Sequence, residues 1–173
     1  LRITTRQGLQ LHGVLKQNLR KVISRINEVQ LTTIAACGDV KRNVMCSPYP
    51  YKGDPVYEQL FEMADRLSEA FKPRTPAYHE LWLTDLETGF QQLVGSSRNG
   101  HASSEDPIEP IYGKTYLPRK FKLALGLPGD NSADVYANDI GLLAVCEDFN
   151  IVGYNVLVGG SFGVTPSAAK TFP

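Results

Sequence analysis

Eight residues, 120–127, constrain the fold of this chain more than any other stretch. They read Lys-Phe-Lys-Leu-Ala-Leu-Gly-Leu. Successive side chains of a strand point to opposite faces. Phe121, Leu123, Leu125 and Leu127 therefore form one apolar face, and Lys120, Lys122, Ala124 and Gly126 form the other. The second face carries two ammonium groups at one end and almost no bulk beyond them, leaving room for a flat anionic ligand. Two inward-facing lysines call for an anion to satisfy them. The competing reading is an edge strand protected from aggregation by charge. The apolar partner face and the flanking Leu117-Pro118-Arg119 favour an interior site.

The surrounding pattern predicts an α+β fold, a mixed β-sheet with flanking helices. Residues 1–6 read as a short strand. Leu11, Leu15, Leu19, Val22, Ile26 and Val29 recur at helical spacing and predict an amphipathic helix of about five turns. Residues 32–37 and 43–47 look like strand or loop edges. Asp54 and Pro55 form an N-cap and first-turn proline, opening a helix whose buried stripe is Val56, Leu60, Met63, Ala64, Leu67 and Phe71. Residues 78–86 read as a strand, and the polar, glycine- and serine-rich segment 88–110 as a surface loop. Strands follow at 120–127, 141–147 and 151–158, the second apolar on both faces as a central strand should be. A tight turn at Phe149-Asn150 joins the last two.

With 173 residues the chain is long enough for one domain with a real core. No apolar run approaches membrane-spanning length. There is no signal-peptide pattern, and the chain opens on Leu1 rather than Met, so we read residues 1–173 as a single module excised from a longer polypeptide. Net charge is zero, yet residues 1–42 hold eight Lys/Arg against Glu28 and Asp39. Lys16, Arg20, Lys21 and Arg25 fit a solvated helix face. Arg2, Arg6 and Arg42 lie outside that helix and could join the lysines in one positive site. No basic run is interleaved with aromatics, which argues against nucleic acid.

Cys37, Cys46 and Cys146 show no zinc spacing, and His12, His79 and His101 are scattered, so no complete metal site is expected. The thiols read as reduced and mostly buried. Gly159-Gly160-Ser161-Phe162-Gly163 lacks both the Walker and the dinucleotide patterns, and reads first as a tight turn needing positive φ. Tyr116-x-x-x-Lys120 has the spacing of a dehydrogenase pair, but Pro118 between them forbids the helix that pair needs.

Thr4-Thr5-Arg6-Gln7, Arg42-Asn43-Val44, Leu117 to Lys122, Asn138-Asp139-Ile140 and Val158-Gly159-Gly160 occur in one order along the whole chain. That ordered set resembles the siroheme-dependent sulfite and nitrite reductases, in the first of their two related catalytic modules. Ser161 stands where the family usually has a third glycine. The resemblance implies siroheme as cofactor. It also implies a 4Fe–4S cluster in the parent enzyme, held by C-x5-C and C-x3-C pairs absent from this chain. It implies that Arg42, Lys120 and Lys122 surround the substrate anion, and that Arg2, Thr4, Arg6, Gln10 and Arg119 hold the macrocycle's carboxylates. Arginine suits such pairing because its planar fork is always charged.

The implied activity is reduction of sulfite to sulfide, with ferredoxin or a flavoprotein as electron donor and the remaining domains of the parent polypeptide as partners. Neither nucleic acid nor membrane is implied, and the location is the cytoplasm, or the plastid of a photosynthetic eukaryote. The isolated module is expected to be inactive. Lys122 favours sulfite over nitrite, since nitrite reductases typically carry Asn there. Residues 130–141 and the Lys170-Thr171-Phe172-Pro173 ending look more like the ferredoxin-dependent branch. The alternatives are nitrite reduction to ammonia and a non-catalytic scaffold or anion-binding half-module.

Overall fold

The computed structural model describes residues 1–36, 38–49, 51–74, 80–96 and 108–160. In chain order the elements are β1 (Arg2–Ile3), β2 (Leu9–Gln10), α1 (Leu19–Glu28), β3 (Lys41–Met45), α2 (Pro55–Ala70), β4 (Glu80–Thr84), β5 (Gln91–Ser96), β6 (Phe121–Gly126), β7 (Ile140–Glu147) and β8 (Asn150–Val158). Short 3-10 turns occupy Lys16–Asn18 and Val135–Ala137. The chain divides into two compact units, each made of two stretches of sequence. One comprises Leu1–Ala36 and Pro73–Tyr116, the other Cys37–Lys72 and Leu117–Pro173.

In the first unit, β1 and β2 form a small antiparallel hairpin with Arg2 opposite Gln10. The strand expected over residues 1–6 stops at Ile3 because the chain turns back at Thr4. Gly8 N–H donates to the Thr4 hydroxyl oxygen at 3.1 Å, and Gln7 takes a φ of 59°. The first long helix is likewise shorter than its periodicity predicts. Leu11 and Leu15 keep helical spacing without helical backbone: Gly13 has a φ of 74°, and Leu15 is extended with ψ 142°.

Strands β4 and β5 form a second antiparallel hairpin, Thr84 opposite Gln91. Within the segment 88–110 expected as a surface loop, Gln91–Ser96 are thus strand, and residues 97–107 lie outside the described residues. The turn is built by Asp85, whose Oδ1 accepts from Thr88 N–H at 2.9 Å, from the Thr88 hydroxyl at 3.0 Å and from Glu87 N–H at 3.0 Å. Those bonds hold the Asp85 carboxyl below its ordinary range, Thr88 contributing most.

The second unit is a mixed sheet of order β3-β6-β7-β8, as the α+β reading expects. Strands β3, β6 and β7 run parallel, and β8 returns antiparallel to β7. The connecting turn is Asp148-Phe149, one residue earlier than expected, both with positive φ. Helix α2 begins as predicted: Asp54 Oδ1 accepts from Val56 N–H at 2.9 Å, and Pro55 takes the first helical position. Its apolar stripe packs on one sheet face. Leu60 and Ala64 meet Leu125, Leu127 and Ala144, with Val56, Met63 and Leu67 around them. Full burial of Leu60 and Leu125 contributes about 1.5–3 kcal/mol each. Tyr57 ties α2 to the loop after β6, its hydroxyl donating to Asp130 Oδ2 at 3.1 Å.

The alternation of residues 120–127 is visible in the packing. Leu125 and Leu127 face α2, whereas Ala124 packs on the opposite side with Met45, Ala133 and Val135. The small-residue end of that second face is not an open ligand shelf. An added Cβ at Gly126 would lie 2.9 Å from Val135 Cγ1, and one at Gly141 only 2.6 Å from the Val135 carbonyl oxygen. Small residues are required there so that the 3-10 turn can seat against the sheet. On this face of the strand Ala124 and Gly126 are buried, Lys122 is half-buried and Lys120 is exposed.

Gly141→Ala is expected to destabilise by about 1–3 kcal/mol through overpacking against backbone. Gly153→Ala, where an added Cβ meets nothing within 4 Å, is the control. Thermal denaturation of the full polypeptide carrying each variant checks this: equal midpoints would contradict the packing described.

Candidate functional site

The candidate site lies in the second unit, where the parallel strands β3 and β6 begin side by side. Their lead-in segments are fastened together. Leu117 N–H donates to the Asp39 carbonyl at 2.8 Å. Gly38 lies against Arg119-Lys120, so closely that an added Cβ would sit 3.1 Å from Lys120 N and 3.4 Å from its Cγ. A side chain at residue 38 would push Lys120 away from the start of β6.

The register then places Arg42. Lys41 is opposite Phe121 and Val44 is opposite Leu123, so two residues of β3, Arg42 and Asn43, stand against Lys122 alone. This is a bulge, a device that re-aims side chains. Its effect on the neighbours is visible. Lys41 is only 3% exposed and donates from Nζ to the Ser68 carbonyl at 3.4 Å, in the last turn of α2. A cation is favoured there by the helix dipole. Val44 also packs on the α2 side, and Met45 on the other. Counted back from Met45 by strict alternation, Lys41 would fall on Met45's own side and Arg42 on the α2 side. The extra residue reverses both.

Arg42 and Lys122 are half-buried, and Arg119 and Lys120 are exposed. Among the described residues the ion pairs are Arg25–Glu28 and Lys72–Glu69, and none involves these four cations. The Arg42 Nε is buried and lacks a hydrogen-bond partner among the described residues. Leaving such a donor unsatisfied costs about 1–3 kcal/mol, so an anionic ligand is the fitting complement.

The remaining predicted residues belong to the first unit and gather on one hairpin. Arg2 and Gln10 are cross-strand partners, both exposed. Thr4 and Arg6 lie in the turn between the strands, half-buried, and the Thr4 hydroxyl oxygen closes that turn. The glycine loop behaves as a tight turn at Gly159 and Gly160, with φ of 146° and 83°. Gly160 lies against the Asn138 backbone without room for a Cβ, and Gly159 N–H donates to the Asp139 carbonyl at 3.2 Å. Residues 161–163 lie outside the described residues.

Sequence reasoning gave Asp139 no role. Its Oδ2 accepts from Lys122 N–H at 2.7 Å, directly beside the candidate site. The available signal was an acidic residue within the Asn138-Asp139-Ile140 motif, next to a cluster otherwise made of cations.

Residues 62–173 match the model for the nitrite and sulphite reductase 4Fe-4S domain. Across all 173 residues the chain is 46% identical to the NADPH sulfite reductase hemoprotein beta-component of Staphylococcus carnosus and 47% identical to that of Shewanella sediminis. The corresponding protein of Geobacillus thermodenitrificans is 47% identical over 174 aligned positions. The chain spans 28% of the length of each of these curated relatives. Their names specify the NADPH-linked form, whereas residues 130–141 and the C-terminal residues had pointed toward the ferredoxin-dependent branch.

The two implied cofactors fit this chain unequally. The cations around Arg42 suit an anionic substrate beside a carboxylate-rich macrocycle, and the buried Arg42 Nε supports that fit. An iron–sulfur cluster does not fit. The sequence holds three cysteines, and no group of three or more His, Cys, Asp or Glu among the described residues could hold a metal ion. The Cys46 thiol is pushed up to about 11, by burial first and by Asp65 second. Cys146 is exposed, which corrects the expectation of mostly buried thiols. Among the described residues no helix is long and apolar enough to cross a membrane.

Because the thiolate is the reactive form, Cys146 should alkylate faster than Cys46 at pH 8, by about tenfold or more. Peptide mass spectrometry after timed iodoacetamide treatment checks this, and equal labelling rates would contradict the burial assigned to Cys46.

Proposed function

Because the chain belongs to the nitrite and sulphite reductase 4Fe-4S domain family, we propose that it is the siroheme- and substrate-binding half of a sulfite reductase hemoprotein. In this reading the parent enzyme reduces sulfite to sulfide. Other parts of the polypeptide supply the 4Fe–4S cluster and its cysteines. An NADPH-linked flavoprotein is the electron donor, in keeping with the names of the relatives, and the enzyme works in the cytoplasm.

The observation that carries the reading is the bulge that sets Arg42 against Lys122, with the Arg42 Nε buried and unpartnered among the described residues. Arg42 orients the oxyanion, because guanidinium stays charged and bonds oxygens in a fixed fork. Lys120 and Lys122 supply further positive charge and carry the protons needed when sulfite oxygens leave as water. When bound, siroheme supplies the iron through which electrons reach the substrate. Arg2, Thr4, Arg6, Gln10 and Arg119 hold its carboxylates by charge-assisted and neutral hydrogen bonds. Three cations suit dianionic sulfite better than monoanionic nitrite, and a scaffold has no use for converging unpaired charge.

Arg42→Ala in the full-length, siroheme-loaded enzyme should lower sulfite turnover by about 10²–10³-fold, the usual loss for one preorganised electrostatic contact. Lys122→Asn should shift the ratio of nitrite to sulfite turnover toward nitrite. Steady-state assays with both anions, at siroheme content matched by visible absorption, check both outcomes. Unchanged sulfite turnover in Arg42→Ala, or an unchanged ratio in Lys122→Asn, would count against the reading.

A further inference from the structure

We propose that Asp139 is a positioning residue for Lys122, acting through its carboxylate on the backbone of β6; the proposal rests on the anion-site reading above. Ladder pairing between β6 and β7 begins at Leu123 opposite Ile140. One step earlier, where regular strand pairing has not yet started, Asp139 Oδ2 takes the Lys122 N–H at 2.7 Å. A side-chain carboxylate thus stands where a backbone carbonyl would otherwise be needed.

The carboxylate is itself held from behind. The Asp139 carbonyl accepts from Gly159 N–H at 3.2 Å. The preceding Asn138 is 4% exposed, and its Nδ2 donates to the Asp134 carbonyl at 2.7 Å. Gly160 lies against the Asn138 backbone where no side chain would fit. Asn138-Asp139 therefore joins three segments, the entry of β6, the 3-10 turn and the glycine loop, and fixes one of them at the residue bearing the Lys122 ammonium.

The carboxylate does this without cancelling that charge. No ion pair within 4.0 Å joins Lys122 to a carboxylate among the described residues. What Asp139 supplies is a hydrogen-bond acceptor at a fixed place, and its negative charge is not the working feature. Small displacements of a substrate-contacting group lower turnover steeply, so losing the acceptor should cost activity while fold and cofactor are retained.

The test uses the full-length holoenzyme with Asp139→Asn, which keeps an acceptor at the same reach, Asp139→Glu, which keeps the charge but moves the acceptor, and Asp139→Ala. Asp139→Asn should stay within about threefold of wild-type kcat/KM for sulfite, while Asp139→Glu and Asp139→Ala should fall by about tenfold or more. Hydrogen–deuterium exchange at the Lys122 amide, read by mass spectrometry, should be slow in the wild type and Asp139→Asn and fast in Asp139→Ala. Equal losses in Asn and Ala, wild-type behaviour in Glu, or wild-type turnover in all three would overturn the proposal. Should Asp139→Ala fail to accumulate, the Asn and Glu variants decide it alone. Lys122→Ala separates this from failure of the parent reading: unchanged sulfite turnover in that variant removes the anion site itself, whatever Asp139 does.

Discussion

The pairing of β3 with β6, with its two-against-one register, is the constraint on which the candidate site depends. Strict alternation cannot put Val44 and Lys41 on the α2 side together, since their positions differ by three, an odd number. The extra residue resolves that conflict. Lys41 then sends its ammonium to the end of α2, and Arg42 and Asn43 are left opposite Lys122. Two adjacent cations in the sequence thereby acquire different tasks. One meets the last turn of α2, and the other keeps a buried Nε without a partner among the described residues.

The sheet around this point is built to be immobile. On one face, Leu60 and Ala64 of α2 lock Leu125, Leu127 and Ala144. On the other, Ala133 and Val135 fill the space above Ala124, Gly126 and Gly141. Close packing resists small shifts, so the strand that presents Lys122 is held from both sides. The lead-in segments are equally restricted, by the Leu117–Asp39 hydrogen bond and by the close approach of Gly38 to Lys120. The backbone at the starts of β3 and β6 is thus fixed where Arg42, Lys120 and Lys122 leave it.

Much of this architecture was legible in the sequence because it rests on local signals. The period-two pattern of residues 120–127 predicted that Leu125 and Leu127 share an apolar face, which packs on α2, and its ends match β6 to within a residue. Asp54-Pro55 located the start of α2 because capping chemistry is local. Where the reading failed, the deciding contact was not local. Leu11 and Leu15 have helical spacing, but Gly13 takes a positive φ and the backbone there is extended. Gln91 and Gln92 carry little strand signal, and β5 exists through its pairing with β4 across the Asp85 turn. The open shelf expected beyond Lys122 is occupied by Val135, which arrives from a loop with no periodicity. The residues proposed as site cations were identified as types, whereas the bulge and the Asp139 bond needed the register between strands distant in sequence.

The central claim is that Arg42 and Lys122 act on one anion as a unit. A double-mutant cycle tests it most directly, with sulfite affinity of the full-length holoenzyme measured by spectroscopic titration for the wild type, Arg42→Ala, Lys122→Ala and the pair. The account predicts strong non-additivity, the second substitution costing much less once the first is made. Losses that add to within about 0.5 kcal/mol, as for independent sites, would contradict it.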